Sequence, residues 1–394
     1  MKSKVIHKII LKVKEIGIDI ANYITKYKRI YLLLLIPVSI ILTAAAKHSS
    51  FFAEQIYAKH IYKLISQIYS NITGILPFSL AEVLIITLPA IVLALLVRFI
   101  IVMIIDRTHR KERLIKGIIN VCCTISVIWF TFLICGGLNY YRYSFGVYSN
   151  LTIEKSSTQE LYALTESLAY EADTLRSKIK NTDDNGVFKL SKNNYELAKL
   201  AGQAYDSLSK DYPVLSGHYG PPKPILLSKI MSQTEITGIF IPFTMEANVN
   251  VDIPDYNIPF TMLHELAHVH GFMREDEANY LAYLGGMKSK DIEFQYSSTM
   301  FALVITGNAL YNNDPKLYFK VSELYSEEIN RDFKDNSDYW SQFENKAIST
   351  VSNKINDTYL KANNQTDGVR SYDRMLDLLL AKYRKEHASE GNKK

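Results

Sequence analysis

Cysteine is scarce in this sequence: among 394 residues there are only Cys122, Cys123 and Cys135. All three fall inside one apolar segment, so the polar remainder of the chain has no cysteine with which to build a disulfide framework. That remainder therefore either stays in a reducing compartment or is stable outside the cytoplasm without bridges.

The sequence also lacks the marks of a nucleic-acid-binding protein. No basic cluster is interleaved with aromatic residues, which argues against nucleic acid as a partner. There is no internal repeat, and no long apolar run follows residue 140. The net charge of +5 is concentrated near the apolar runs that precede this point, a pattern typical of membrane topology.

Three apolar runs are long enough to span a bilayer. They are expected at about 30–46, 78–105 and 118–138. Residues 1–29 carry eight Lys or Arg and 106–117 is strongly basic, whereas 47–77 contains only three lysines. Because cytoplasmic loops are enriched in Lys and Arg, residues 1–29 and 106–117 are predicted to be cytoplasmic and everything after Asn139 extracytoplasmic, in the cell membrane.

The chain is accordingly predicted to have three parts. Residues 1–29 place isoleucines at helical spacing among lysines, which favours a basic amphipathic helix on the inner leaflet over a solvated tail. Residues 30–139 form a membrane domain with three transmembrane helices. Residues 140–394 form an extracytoplasmic domain that is mostly α-helical, with short strands near 224–227 and 237–243.

The sequence HELAH at residues 264–268 has the spacing of a zinc site. On a helix, His264 and His268 are one turn apart, so both imidazoles project from one face and can reach one Zn²⁺ ion. Glu265 lies at the edge of that face, where it can take a proton from a zinc-bound water. The alternative is a buried amphipathic helix whose two histidines make ordinary hydrogen bonds.

A catalytic zinc site needs a third protein ligand, and it must come from beyond the helix. The candidates within reach are His270, Glu275, Asp276 and Glu277. His270 is about 200° around the helix from His268 and faces away. Gly271 permits the left-handed C-cap that would end the helix and reverse the chain.

A second helix beginning near Arg274 would bring Glu275 back to the ion. Glu277 would then point about 200° away, so only one of the two carboxylates should bind. Glu275 is the favoured ligand, and Glu277 is the alternative. Asn279 lies one turn beyond Glu275 on the same face and could hydrogen-bond a ligand histidine.

These motifs resemble known families. HELAH followed by Glu275-x-x-Ala278-Asn279 looks like the metal-binding element of gluzincin zinc metallopeptidases. The wider layout is similar to a bacterial membrane-anchored family of unknown function with zinc metallopeptidase motifs. It includes Gly238–Thr244, Glu246–Asn248 and Ser371–Tyr372. The gap from His268 to Glu275 is shorter than in well-studied gluzincins and closer to the compact spacing of metzincins, which keeps the third ligand open.

The resemblance implies a zincin-like α+β fold with one Zn²⁺ per chain and a peptide or protein substrate. The expected function is a membrane-anchored metallopeptidase that hydrolyses peptide bonds outside the cytoplasm by a zinc-bound water activated by Glu265. Tyr372 and His218 are candidate donors to the oxyanion, and residues 237–243 could pair with an extended peptide as an edge strand or serve as a core strand. The alternative function is a catalytically silent, zinc-stabilised cell-surface sensor or scaffold. Membrane lipid is the other expected partner, and the sequence sets neither the substrate nor the oligomeric state.

Overall fold

A computed structural model describes Lys12 and residues 28–344, 347–363, 365 and 374–391 of the chain. The predicted amphipathic segment 1–29 lies almost entirely outside these residues. The described chain is mostly helical with one small sheet, as predicted. It divides into two compact units. The first unit is Met1–His48 with Ile86–Ile134, and the second unit is Ser49–Ile85 with Cys135–Lys394.

The regular elements of the described chain are mainly α-helices. In chain order the helices are α1 (Leu35–His48), α2 (Lys63–Gly74), α3 (Leu80–Ile105), α4 (Arg110–Cys135), α5 (Phe145–Ser149), α6 (Thr158–Arg176), α7 (Asn194–Leu208), α8 (Ser228–Gln233), α9 (Asn257–Val269), α10 (Glu275–Lys288), α11 (Ile292–Asn313), α12 (Pro315–Ser322), α13 (Glu327–Ser341), α14 (Ala347–Ala362) and α15 (Met375–Gly391). The strands are β1 (Lys223–Pro224), β2 (Gly238–Ile241) and β3 (Glu246–Val249). Shorter 3₁₀ turns are Lys28–Leu34, Gly137–Tyr141 and Pro213–Leu215, and a π-helix covers Phe52–Tyr62.

Among the described residues, three helices are long and apolar enough to cross a membrane: Lys28–His48, which includes α1, and the two long helices α3 and α4. The first two agree with the predicted spans to within two residues. The third starts earlier than predicted, at Arg110, because the basic residues of the preceding loop form its first turns, and it ends at Cys135. A helix satisfies its own backbone hydrogen bonds, which is what a crossing of the hydrocarbon requires.

The connection between the first two apolar helices is not a simple loop. It consists of the π-helix and α2, and the structure assigns Ser49–Ile85 to the same unit as Cys135–Lys394. The sequence analysis had placed this stretch in the membrane domain because it lies between two spans. Its buried side chains instead belong to the second unit, and Tyr57 and Tyr62 are almost wholly buried.

The sheet has the strand order β1-β3-β2, so β2 is at one edge. β1 pairs parallel to β3, and β2 pairs antiparallel to it with Ile239 opposite Asn248. The predicted strand at 224–227 shrinks to β1, because the backbone N–H groups of Leu226 and Leu227 turn away to donate to the Glu82 carboxylate. The sequence did not single out β3, which is only four residues long and half polar.

Helix α9 runs through the core of the second unit. From Ile258 to Val269 every side chain is buried except that of His264, which is partly exposed. Helices α7, α10 and α11 and strands β2 and β3 pack around it. Pro259 lies in its first turn, where a missing N–H costs no helical hydrogen bond. The helix that carries HELAH is therefore packed against other elements around most of its surface, and from Ile258 to Val269 it is accessible only at His264.

Candidate metal centre

The turn after α9 returns the chain to the face that carries the histidines. Gly271 has a φ of +90°, and the backbone N–H groups of Phe272 and Gly271 donate to the carbonyls of Ala267 and His268 at 3.0 and 2.9 Å. This pair of hydrogen bonds is a Schellman motif, which a glycine in the left-handed region closes without strain. Helix α10 then begins at Glu275, as the sequence predicted for this turn.

The structure brings His264, His268 and Glu275 together. The two Nε2 atoms are 3.1 Å apart, and Glu275 Oε2 lies 3.1 Å from that of His264 and 3.7 Å from that of His268. A tetrahedral zinc ion with ligand bonds of about 2.0–2.2 Å holds its ligand atoms about 3.3–3.6 Å apart. The three observed distances bracket that range, so these residues fit a single zinc ion.

The outer nitrogens of both rings support the same conclusion. His264 Nδ1 lies 2.7 Å from Asn279 Oδ1, and His268 Nδ1 lies 2.8 Å from the carbonyl oxygen of Phe272. Both Nδ1 atoms face acceptors and therefore carry the ring proton, which leaves a lone pair on each Nε2. Two such lone pairs and a carboxylate oxygen converge on one point, and only a cation relieves their repulsion.

The electrostatics of the cluster are those of a cation site. Burial alone would lower the pKa of His268, but the adjacent Glu275 carboxylate raises it to about 9. Burial alone would raise the pKa of Glu275, but His268 and His264 hold it well below its usual range. Without a metal the cluster thus binds a proton at neutral pH, and a metal ion would compete for the same lone pairs.

Glu265 sits beside the cluster and next to the edge strand. It is almost fully buried, and its Oε2 has no hydrogen-bond partner among the described residues. Burial raises its pKa to about 7, while the histidines and a hydrogen bond from the Phe240 backbone oppose the rise. A Cβ at position 238 would lie 2.4 Å from Glu265 Oε1, so only glycine lets β2 pass this close.

The other carboxylates of the acidic run face elsewhere. Glu277 accepts a hydrogen bond from the backbone N–H of Phe145 at 2.8 Å, and burial raises its pKa to about 7. Asp276 Oδ2 lies 3.4 Å from Arg374 Nε. The turn at Gly271 therefore places Glu275, and not Glu277, beside the two histidines.

His270 points away from the cluster, as predicted from its position on the helix. Its Nδ1 lies 2.8 Å from the carbonyl oxygen of Leu266, and its ring stacks on Tyr205 and packs against Tyr219. Burial lowers its pKa to about 4, so it is neutral in the folded protein. His270 is a core residue.

The two predicted oxyanion donors have different outcomes. His218 is exposed, its backbone binds Gln67 and Asn71 of α2, and it makes none of the hydrogen bonds of the cluster. Tyr372 lies outside the described residues. No group for the oxyanion therefore follows from these two positions.

Comparison with known proteins gives one result. The family model described as "Protein of unknown function (DUF3810)" matches residues 57–380, which is most of the chain. The chain belongs to this family. No curated protein and no solved structure matches it. The DUF3810 match begins inside the π-helix at Tyr57, so the family's domain includes the connection between the first two apolar helices as well as the metal centre.

That connection supplies site residues that the sequence analysis missed. The hydroxyl of Tyr62 donates to the carbonyls of His268 and Val269, at 3.0 and 3.1 Å, at the end of α9. Arg142 donates through Nε and Nη2 to the Glu54 carboxylate, 2.8 Å in each case, and through Nη1 to the carbonyl of Gly271 at 3.2 Å. These groups hold the carbonyls of the turn on which the geometry of Glu275 depends.

Gln365 was missed as well. It is almost fully buried, and its Oε1 accepts a 3.4 Å hydrogen bond from the backbone N–H of Glu275 at the start of α10. Its position 90 residues further along the chain gave no signal in the sequence. The one available clue to the other partners was an acid, Glu54, in an otherwise apolar stretch between two spans.

Proposed function

We propose that the protein is a membrane-anchored, zinc-dependent metallopeptidase of gluzincin-like type that acts on peptide bonds outside the cytoplasm. The observation that carries the proposal is the convergence of His264, His268 and Glu275 next to a buried Glu265 whose Oε2 has no hydrogen-bond partner among the described residues. A structural zinc site closes with four protein ligands and needs no base. Here three candidate ligands and a base stand together, and His264 is partly exposed.

Bound zinc would supply a Lewis acid that lowers the pKa of water and polarises the carbonyl group of the scissile bond. Glu265 is placed to remove the proton from the attacking water and to deliver it to the leaving amine. Burial raises its pKa to about 7, and the positive charge of a bound zinc ion would oppose that rise. Asn279 and the Phe272 carbonyl hold the two imidazoles by their outer nitrogens, so that both Nε2 atoms stay aimed at the ion.

The position of β2 supports a peptide as substrate. It is an edge strand, antiparallel to β3, and its Phe240 and Gly238 lie against Glu265. An extended peptide can add to such an edge by main-chain hydrogen bonds, which would present its backbone to the base. The extracytoplasmic assignment rests on the distribution of Lys and Arg around the three apolar helices.

The test is zinc analysis and peptide hydrolysis by the full chain and its Glu265→Gln variant, with a denatured protein as substrate. The full chain is needed because a fragment beginning near residue 140 would lack Tyr62 and Glu54, which bind the end of α9 and Arg142. Both proteins should bind one zinc ion per chain. The variant's rate of peptide hydrolysis should be lower by about 10²–10⁴-fold, the usual contribution of a general base.

Two results would contradict the proposal. If neither protein bound zinc, the cluster would be an ordinary set of buried polar groups. If both bound zinc and neither hydrolysed any substrate, the protein would be the zinc-stabilised sensor or scaffold.

A further inference from the structure

The connection between the first two apolar helices carries an exposed apolar stripe. Its members are large side chains without polar groups that are at least two-fifths exposed, and they are Phe51, Ile56, Ile61, Leu64, Ile68, Ile72 and Ile75; Tyr69 is exposed as well. We refer to this set as the apolar stripe. Charged side chains lie off it: Lys59 binds Gln55, and Lys63 binds Ser216.

The spacing of the stripe follows the helix type. In the π-helix its members are five residues apart, and in α2 they are three or four apart, so both parts present them on one face. The opposite face is buried and carries small or polar groups, including Ala58, Ser66 and Ser70. One continuous helical segment, Phe52–Gly74, thus has one face in the protein and one uncovered apolar face.

The buried face fixes the segment to the rest of its unit. Besides the Tyr62 and Glu54 contacts described above, Lys63 Nζ donates to Ser216 Oγ at 2.9 Å and Asn71 donates to the His218 carbonyl at 2.7 Å. Lys223 Nζ donates to the Thr73 carbonyl at the end of α2. With so many partners along its length, the segment cannot turn its apolar face inward without breaking the unit.

Chain connectivity determines where this segment can lie. One candidate span ends at His48 and the next begins at Leu80, so a chain that crosses twice has both ends of the segment at one face of the bilayer. The segment is about 30 Å long at the rise of a helix. The six Cα–Cα steps from Gly74 to Leu80 could cover about 22 Å if extended, but they cover much less, because the chain turns here: the N–H groups of Ile75 and Leu76 donate to the carbonyls of Ile72 and Thr73. Helix α3 is about 39 Å long against a hydrocarbon thickness of about 30 Å, which adds only about 9 Å.

The segment therefore cannot lie perpendicular to the membrane, because the chain after it would not reach the bilayer again at the start of α3. We propose that it lies in the plane of the bilayer surface and that its apolar stripe binds the acyl-chain boundary of the lipid. The segment is joined at both ends to candidate spans, so lipid is the apolar surface closest to its uncharged face. Amphipathic helices with this pattern bind at the membrane interface. The proposal does not depend on zinc or on peptidase activity.

One consequence concerns the metal centre. Tyr62 is on the buried face of this segment and donates to the last carbonyls of α9, so the helix that carries HELAH is fixed directly to the in-plane helix. If the proposed peptidase activity holds as well, peptide segments close to the membrane surface are the class of substrate that this arrangement suits best.

The test uses the full chain with Cys122, Cys123 and Cys135 replaced by alanine, reconstituted in phosphatidylcholine–phosphatidylglycerol vesicles. A nitroxide label is attached at single cysteines replacing Leu64, Ile68 or Ile72, which are all exposed. Controls are labels at Tyr195 of α7 and Glu327 of α13, which are also exposed. Collision rates with oxygen, which concentrates in lipid, and with a water-soluble nickel complex are then measured.

Stripe positions should show an oxygen-to-nickel collision ratio several-fold higher than the controls. Equal ratios would place the stripe in water and overturn the proposal. Dipolar broadening at the stripe that disappears on dilution with unlabelled chain would show a second copy as its cover, which also overturns it. If the alanine background does not fold, p-benzoylphenylalanine at Ile68 in the native-cysteine chain replaces the label. A lipid adduct is then expected, and a chain dimer or no adduct would contradict it.

Discussion

Two buried charged centres meet at the turn around Gly271, and they differ in how their charges are satisfied. In the first, the Glu54 carboxylate receives both forked donors of Arg142 at 2.8 Å and the Tyr148 hydroxyl as well. Glu54 and Arg142 are almost wholly buried, and Arg142 also covers the Phe272 ring at 4.0 Å. Donors and acceptors match, so this centre is complete within the protein.

The second centre differs, because its hydrogen-bond acceptors are not matched by donors among the described residues. His264, His268 and Glu275 turn acceptor atoms toward one another, and only a bound proton or metal ion would match them. A buried ion pair with matched partners is satisfied within the protein, whereas a buried cluster of converging acceptors suits a cation, either a proton or a metal ion.

The largest expected effect is the loss of zinc from the unmatched centre. Glu275→Gln should reduce bound zinc to well below one ion per chain, because a neutral amide is a much poorer ligand than a carboxylate. Glu277→Gln is a matched control: it is a buried glutamate in the same helix turn, and its contact with the Phe145 N–H survives in glutamine. Zinc titration of both variants measures the difference.

A reversed result would be informative. If Glu277→Gln lost the metal and Glu275→Gln kept it, the ligand would be two residues further along α10 and the start of that helix would differ from the one described. His264→Ala provides the reference for a site without metal.

The second expected effect is on stability, at the complete centre. Glu54→Gln should lower the free energy of unfolding by about 3–5 kcal/mol, because it leaves the Arg142 guanidinium buried without its counter-charge. Zinc content per folded chain should stay near one. Pulse proteolysis of the protein in detergent measures the free energy.

The paired replacement Glu54→Leu with Arg142→Met sharpens this result. Because removing both charges also removes the cost of burying them, the double variant should recover most of the lost stability. If the single variant were as stable as the parent, the pair would not be holding the turn.

The comparison also shows what sequence can predict. The metal centre depends on neighbours in the chain: His264 and His268 are one helical turn apart, and Gly271 closes a local turn that returns Glu275. Helix periodicity and glycine conformation act over short stretches of chain, so the grouping of His264, His268 and Glu275 and the three apolar helices were predictable. β3 and the limits of α4 were not, because a four-residue strand and a loop that becomes helix carry little local signal.

The complete centre depends on neighbours in space. Glu54 and Arg142 are separated by 88 residues and Tyr62 and His268 by 206, and two candidate spans lie between the members of each pair. Nothing in the spacing of a single sequence pairs such residues. The apolar stripe illustrates the same limit, because its five-residue spacing suits a π-helix and gives no α-helical period across 51–61.

The smallest expected effect is at the contact that aims a ligand of the unmatched centre. Asn279→Ala should lower zinc affinity by about 10–100-fold, since His264 Nδ1–H loses its acceptor and the ring is free to turn or change tautomer. Asn279→Asp keeps an acceptor at the same place and should retain or increase the affinity. Competition with a chelator of known affinity measures both. If the alanine variant bound zinc as tightly as the parent, packing alone would orient His264. If the aspartate variant bound zinc as weakly as the alanine variant, the shape of the Asn279 amide would matter, and the hydrogen bond that it accepts would not.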